Sequence, residues 1–236
     1  MQYGDTRSLK FKVILLGESG VGKTSLFQRF RSRDIPSSAK SALMLDCYQH
    51  SRQFAVGPQG RKIQLELWDT ANMERARSLT EQYYRETSAS LLVYDIADSY
   101  SLRNIETYWQ QELQNHASSS CAISFIVGNK HDLEVAKYDS EHSTVSYAKE
   151  VIGKQSKCKE VFEVSAREDY CVERMFHGVA EHLWKCHTQQ SSKQKNTSGV
   201  ASGMHRKESL SIRSADGGIH VAHQDVKTSG KGWGCC

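Results

Sequence analysis

Residues 17–25 read "GESGVGKTS", two glycines five positions apart followed by a lysine and a hydroxyl residue. That spacing belongs to a loop that wraps phosphate groups. Upstream, "LKFKVILL" (9–16) is an apolar, branched run that predicts a buried strand, and downstream a helix is predicted to start near Gly22, with Leu26, Phe27 and Phe30 on its buried side. A strand, a glycine turn and a helix in that order supply the context the loop needs. Gly17, Gly20 and Gly22 permit tight turns, so successive amides of Glu18, Ser19, Val21 and Ser25 and their neighbours can point at phosphate oxygens. Lys23 would neutralise β- and γ-phosphate charge, and the Thr24 hydroxyl would ligate Mg²⁺.

Outward from the loop, strand-like and helix-like segments alternate, as in a mostly parallel sheet covered on both faces. "CYQHSRQFAV" (47–56) and "RKIQLELW" (61–68) flank "GPQG", whose Pro58 and Gly60 suit a hairpin turn. "SLLVYDIA" (90–97), "AISFIVGN" (122–129) and "VFEVSA" (161–166) predict three further strands. Leu102, Ile105, Trp109 and Leu113 repeat at helical spacing behind a cap expected at Ser99 or Ser101. The stripe from Val172 through Met175, Phe176, Val179 and Ala180 to Leu183 predicts the last helix. The expected fold is therefore α/β: a P-loop NTPase domain over residues 1–186, with six strands, one antiparallel hairpin pair and about five helices on both faces.

Composition changes after Cys186. Residues 187–234 are rich in Ser, Gly, Lys and Gln and nearly free of aromatics, which predicts a disordered tail over 187–236. Seven basic and three acidic residues there account for the chain's whole net charge of +4, leaving 1–186 neutral. A neutral domain argues against nucleic acid as a partner. A mildly basic tail suits an anionic membrane surface. The seven cysteines are odd in number, have no zinc spacing and cluster only at Cys235-Cys236, the pattern of a reducing compartment. No signal peptide or spanning run is expected, so any membrane attachment would be peripheral.

The base is chosen elsewhere. "GNKHDL" (128–133) follows a strand, and with Asn129, Lys130 and Asp132 it resembles the N-K-x-D motif of the small Ras-like GTPases, which reads guanine. The chemistry agrees, because the Asp132 carboxylate can accept both hydrogens of guanine's N1–H and 2-amino edge, a pairing adenine lacks. "VSARED" resembles the family's third base motif, S-A-K, with Ser165 and Ala166 in register and Arg167 in place of lysine. Within the superfamily the chain resembles Rab proteins over about residues 9–186, through "LELWDTA", "RARSLTEQYYR", "LLVYDIAD" and the terminal Cys235-Cys236. The resemblance implies GTP/GDP and Mg²⁺ as cofactors, Asp69 at the metal site, and prenylation of the cysteine pair. Two lipid chains are what durable anchoring requires.

The resemblance also exposes departures. In "WDTANMERARS" (68–78) the family has glycine and glutamine where this chain has Asn72 and Met73. In the family that glycine's amide contacts the γ-phosphate and the glutamine orients the attacking water, which methionine cannot do. Counted without gaps from Lys23, the family's base-stacking aromatic falls on Ile35 and its Mg²⁺-binding threonine on Ala42. Met44 and Cys47 replace a glycine and an effector-facing aromatic, while Trp68 and Tyr83 of the same surface are kept.

Nucleotide-holding groups are thus retained while groups that sense and cleave the third phosphate are replaced. The expectation is a Rab-like GTP-binding protein of vesicle and membrane traffic with slow hydrolysis, Lys23 and an impaired Met73 being its catalytic positions. It is expected as a monomer on the cytoplasmic face of an intracellular membrane, with a cytosolic pool. Effectors, an exchange factor, a prenylation escort and GDI-like proteins are the partners the resemblance implies. The alternative is a non-cycling module that holds GTP or GDP for integrity and recruits partners. A kinase or ATPase on the same loop is disfavoured by Asp132.

Overall fold

Val13, Ile14, Leu15 and Leu16 are all buried, although neighbours in a strand face opposite ways. Their strand, β1 (Leu9–Leu16), must therefore be covered on both faces. The computed structural model describes residues 9–33, 48–70, 81–116, 123–136, 148, 150 and 158–198. The described residues up to 195 form one compact unit; of the second, 196–236, the described part is the end of the last helix.

The sheet has six strands in the order β2-β3-β1-β4-β5-β6, with β2 (Gln49–Val56), β3 (Arg61–Trp68), β4 (Thr87–Asp95), β5 (Ile123–Asn129) and β6 (Cys158–Glu163). Among the six described strands only β2 and β3 pair antiparallel, their turn closed by the Gly60 amide donating to the Gly57 carbonyl at 3.1 Å. The expected hairpin and mostly parallel sheet are what forms.

On one face, Val13, Leu15, Leu91, Val93, Phe125 and Val127 pack against Leu26, Phe27 and Phe30 of α1 (Lys23–Ser32) and the stripe Met175, Phe176, Val179 and Leu183 of the last helix. On the other, Ile14, Leu16, Leu92, Tyr94 and Ile126 meet Leu102, Ile105, Trp109 and Leu113. A short helix α2 (Glu81–Tyr84) precedes β4. After it come α3 (Ser99–Asn104), a π turn (Ile105–Trp109) and α4 (Gln110–His116) without interruption. The last helix, α5, spans Val172–Ser198.

Four local features differ from the sequence expectation. The cap before α3 is Asp98, whose carboxylate accepts from the Tyr100 amide at 3.0 Å; the Ser101 hydroxyl instead donates to the Asp98 carbonyl at 2.7 Å. β4 starts at Thr87 because Thr87 and Ala89 pair with Lys12 and Val13 of β1, a long-range pairing that the polar Thr87 and Ser88 hide. β6 begins at Cys158 and ends before Ser165, which only bridges to Tyr170. Helix α5 runs past Cys186: His187 lies edge-on to Phe11 and stacks on Trp184, and the glutamines and lysines that follow are good helix formers.

The chain visits β1 in the middle, then β3 on one side and β4 on the other. Such a reversal leaves a crevice at the carboxyl ends of the strands, where ligands bind in open α/β sheets. The segments just beyond β1, β3, β5 and β6 carry the sequence-predicted residues.

Candidate nucleotide site

The phosphate side is shaped by how closely the loop lies on the sheet. Gly17 has φ +143°, and a β-carbon there would lie 2.1 Å from the Val93 carbonyl oxygen. Gly22 has φ +99° and caps α1 in the left-handed region, with no side chain to satisfy the helix's first amides. Those amides and the positive helix end suit an anion. Lys23, only 4% exposed, bends back over the loop, its ammonium donating to the Gly17 carbonyl at 2.9 Å and the Glu18 carbonyl at 2.7 Å. Its charge is thus fixed at the loop's mouth. The Glu18 carboxylate is engaged outside the loop, accepting at Oε1 from Asn104 Nδ2 at 2.9 Å and the Trp109 indole N–H at 3.2 Å. The π turn carries Trp109, and a π turn is a frequent feature of functional helices.

Thr24 is half-buried at the start of α1, and Asp69 is buried just past β3, where its amide donates to the Tyr48 carbonyl at 2.8 Å. The Thr70 hydroxyl donates to the Leu15 carbonyl at 2.7 Å, tying the end of β3 to β1. A hydroxyl and a carboxylate are hard oxygen donors, the kind Mg²⁺ takes alongside phosphate oxygens and water.

On the base side, Asn129 is 1% exposed and joins two loops: its Nδ2 donates to the Val21 carbonyl at 2.9 Å and its Oδ1 accepts from the Ala166 amide at 3.0 Å. It welds the phosphate loop to the third base motif. Lys130 adopts φ +67°, and its ammonium pairs with Asp95 Oδ2 at 2.8 Å. The Ser165 hydroxyl donates to Asp132 Oδ1 at 2.6 Å and accepts from the Glu168 amide at 3.1 Å. Asp132 is thereby held by a neutral donor, so it stays an acceptor for a donor edge on a ligand. Arg167 contributes its carbonyl, which accepts from Arg29 at 2.6 Å, while Arg29 Nε donates to the Ala166 carbonyl at 2.7 Å.

Every predicted binding residue within the described segments thus sits at the carboxyl end of the sheet, in the loops that leave it or in the first turn of α1. Ile35, Ala42, Asn72, Met73, Cys235 and Cys236 lie outside the described residues. Sequence reasoning missed Asp95, Arg29, Asn104 and the polar role of Trp109. Asp95 had a signal, a carboxylate ending the strand in "VYD"; the other three lie too far along the chain from their partners to leave one.

A second surface lies on β1 and β3. Trp68 meets Tyr83 edge to face with centroids 6.0 Å apart, and the Lys12 ammonium sits 4.5 Å from the Trp68 ring centre. Burial lowers the Lys12 pKa, against the raising influence of Glu66 and Glu86. Burial, then Tyr48 and Asp69, raise that of Tyr83.

The Ras family model matches residues 12–185. Among curated relatives, the chain is 36% identical over 182 residues to the Ras-related protein YPTC6 of Chlamydomonas reinhardtii, covering 74% of this chain and 75% of that one. It is 33% identical over 183 residues to the Ras-related protein rab-11.1 of Caenorhabditis elegans (74% and 77% covered), and 31% over 191 residues to RABA2a of Arabidopsis thaliana (81% and 82%). The match spans both the phosphate loop and the base motifs, and this chain belongs to the Ras family and, within it, to the Ras-related Rab small GTPases.

Proposed function

We propose that this chain binds GTP and GDP with Mg²⁺, hydrolyses GTP slowly, and serves intracellular vesicle and membrane traffic as a Rab protein lipidated on Cys235 and Cys236. The observation that carries the nucleotide reading is the junction at Asn129, which locks a phosphate loop to a base-reading loop in one rigid unit. Phosphate oxygens would meet the α1 amides and Lys23; the guanine edge would meet Asp132; Thr24 and Asp69 would hold the metal. Mg²⁺, when bound, neutralises charge on the phosphoryl oxygens. Slow hydrolysis follows from Met73, which cannot orient water, and from Ala42, which offers the metal no oxygen. The residues beyond α5 would serve as the tether to the cytoplasmic face of the membrane, with effectors, exchange factor, prenylation escort and GDI-like proteins as partners.

Calorimetry of the purified chain with GDP, GTP and ATP tests the first part. Tight guanine binding and no ATP binding is expected; equal affinity for ATP would overturn it. A second reading, a non-cycling scaffold that keeps its nucleotide, is favoured by the paired loss at Ala42 and Met73. Single-turnover hydrolysis in the presence of cell lysate separates the two, since a scaffold would cleave nothing even then.

A further inference from the structure

The Asp132 carboxylate is fixed from two directions, and one of them runs through an aromatic pair that the motifs' defining positions do not include. His131, between Lys130 and Asp132, stacks face to face on Tyr170, ring centroids 4.8 Å apart and planes 11° from parallel. Tyr170 in turn is joined to Ser165 by two main-chain bonds, its amide to the Ser165 carbonyl at 3.0 Å and the Ser165 amide to its carbonyl at 3.1 Å. The Ser165 hydroxyl closes the circuit on Asp132 Oδ1 at 2.6 Å. The ring of constraints is then Asp132, Ser165, Tyr170, His131 and back to Asp132 through the peptide bond.

The circuit answers a local weakness. Lys130 is a non-glycine residue at φ +67°, a conformation that persists only where its surroundings hold it. Its neighbour's amide is held by the Val164 carbonyl at 3.1 Å, which fixes the backbone of His131 but not the direction of the side chains after it. The stack on Tyr170, with Glu163 Oε2 3.7 Å from His131 Nδ1, adds the second point of support. Tyr170 remains 47% exposed, so its ring is not held there by core packing.

We infer that Tyr170 is a positioning residue for purine selection, acting through His131 to hold the Asp132 carboxylate in the orientation that pairs with both the N1–H and the 2-amino group of guanine. The inference rests on the guanine reading above. Two parallel bonds to one carboxylate demand a fixed plane, whereas a single bond tolerates rotation. Hypoxanthine keeps N1–H and lacks the 2-amino group, so the preference for GDP over IDP reads that second bond alone.

The test is the affinity of the full chain for GDP and for IDP, by calorimetry, in wild type, Tyr170→Ala, Tyr170→Phe and His131→Ala. Tyr170→Ala and His131→Ala, which break the same stack from opposite sides, are each expected to narrow the GDP-over-IDP preference by roughly tenfold. Tyr170→Phe keeps the stacked ring and is expected to retain the wild-type ratio. A general loss of folding would weaken both nucleotides in proportion, and an unchanged ratio in both alanine variants overturns the inference, as does a narrowed ratio in Tyr170→Phe. Wild-type chain that binds neither nucleotide sinks the guanine reading itself, and this inference with it; wild type that prefers GDP with alanine variants that do so equally sinks the inference alone.

Discussion

A β-carbon added to Gly22 would lie 2.2 Å from the side-chain nitrogen of Asn129, so the phosphate loop and the base motif touch at a point where only a hydrogen fits. Neither residue can move alone. Asn129 Nδ2 is committed to the Val21 carbonyl at 2.9 Å and its oxygen to the Ala166 amide at 3.0 Å. The two halves of the nucleotide site are therefore coupled through a buried side chain 1% exposed.

Gly22→Ala follows from that contact. The variant strains a residue at φ +99° and displaces the Asn129 amide, leaving two buried hydrogen bonds broken. Nucleotide affinity is expected to fall on the order of 100-fold, the equivalent of about 2–3 kcal/mol for buried polar groups left unpaired. Calorimetric titration with GDP checks it, and wild-type affinity would show that the contact does not matter.

Trp109→Phe isolates the clasp on Glu18. Phenylalanine keeps most of the buried ring and removes the indole N–H that reaches Glu18 Oε1 at 3.2 Å. Stability should fall by roughly 1 kcal/mol. Bound GDP should also leave faster, because Glu18 is part of the phosphate loop. A denaturant midpoint and a nucleotide-release rate both equal to wild type would dispose of the clasp.

Met73→Gln restores a group able to hydrogen-bond water at the position the family uses for it. Single-turnover GTP hydrolysis is expected to rise on the order of tenfold, short of what a complete water-positioning site supplies because Ala42 stays unchanged. An unchanged rate would mean that Met73 is not what limits cleavage.

His50 gives the chain an acid-side instability. Partial burial, then Arg31 and Arg52, depress its pKa below the ordinary value of 6.5. A histidine whose folded pKa is depressed binds its proton more readily when unfolded, so its stability contribution is whole above 6.5 and is lost as pH falls through the lower folded value. His50→Gln removes that dependence while keeping a polar group. Between pH 7.5 and pH 5 the variant's thermal midpoint should drop less than that of wild type; parallel curves would exclude His50.

Most features that could be read from the chain alone have partners that are neighbours along it, although the cap at Asp98, two residues from Tyr100, escaped. The phosphate loop was legible because its glycines, Lys23 and Thr24 act within one strand–turn–helix. The hairpin at Gly57–Gly60 and the alternation of strands and helices were legible because periodicity reports burial directly. Asn129 and Asp132 were recognisable as a motif, and so were Ser165 and Ala166. Tertiary structure decided what each of them touches. It made Asn129 the weld between two loops, gave Lys130 to Asp95, took the Glu18 carboxylate to Trp109, and used Arg29 to hold the carbonyls of Ala166 and Arg167. It also set Tyr170 on His131 and carried helix α5 past Cys186, with His187 against Phe11. Those partners are 35 to 138 positions apart for the hydrogen bonds. No spacing in the chain encodes such a distance: they meet only when a parallel sheet gathers the ends of β1, β3, β4 and β5 at one edge.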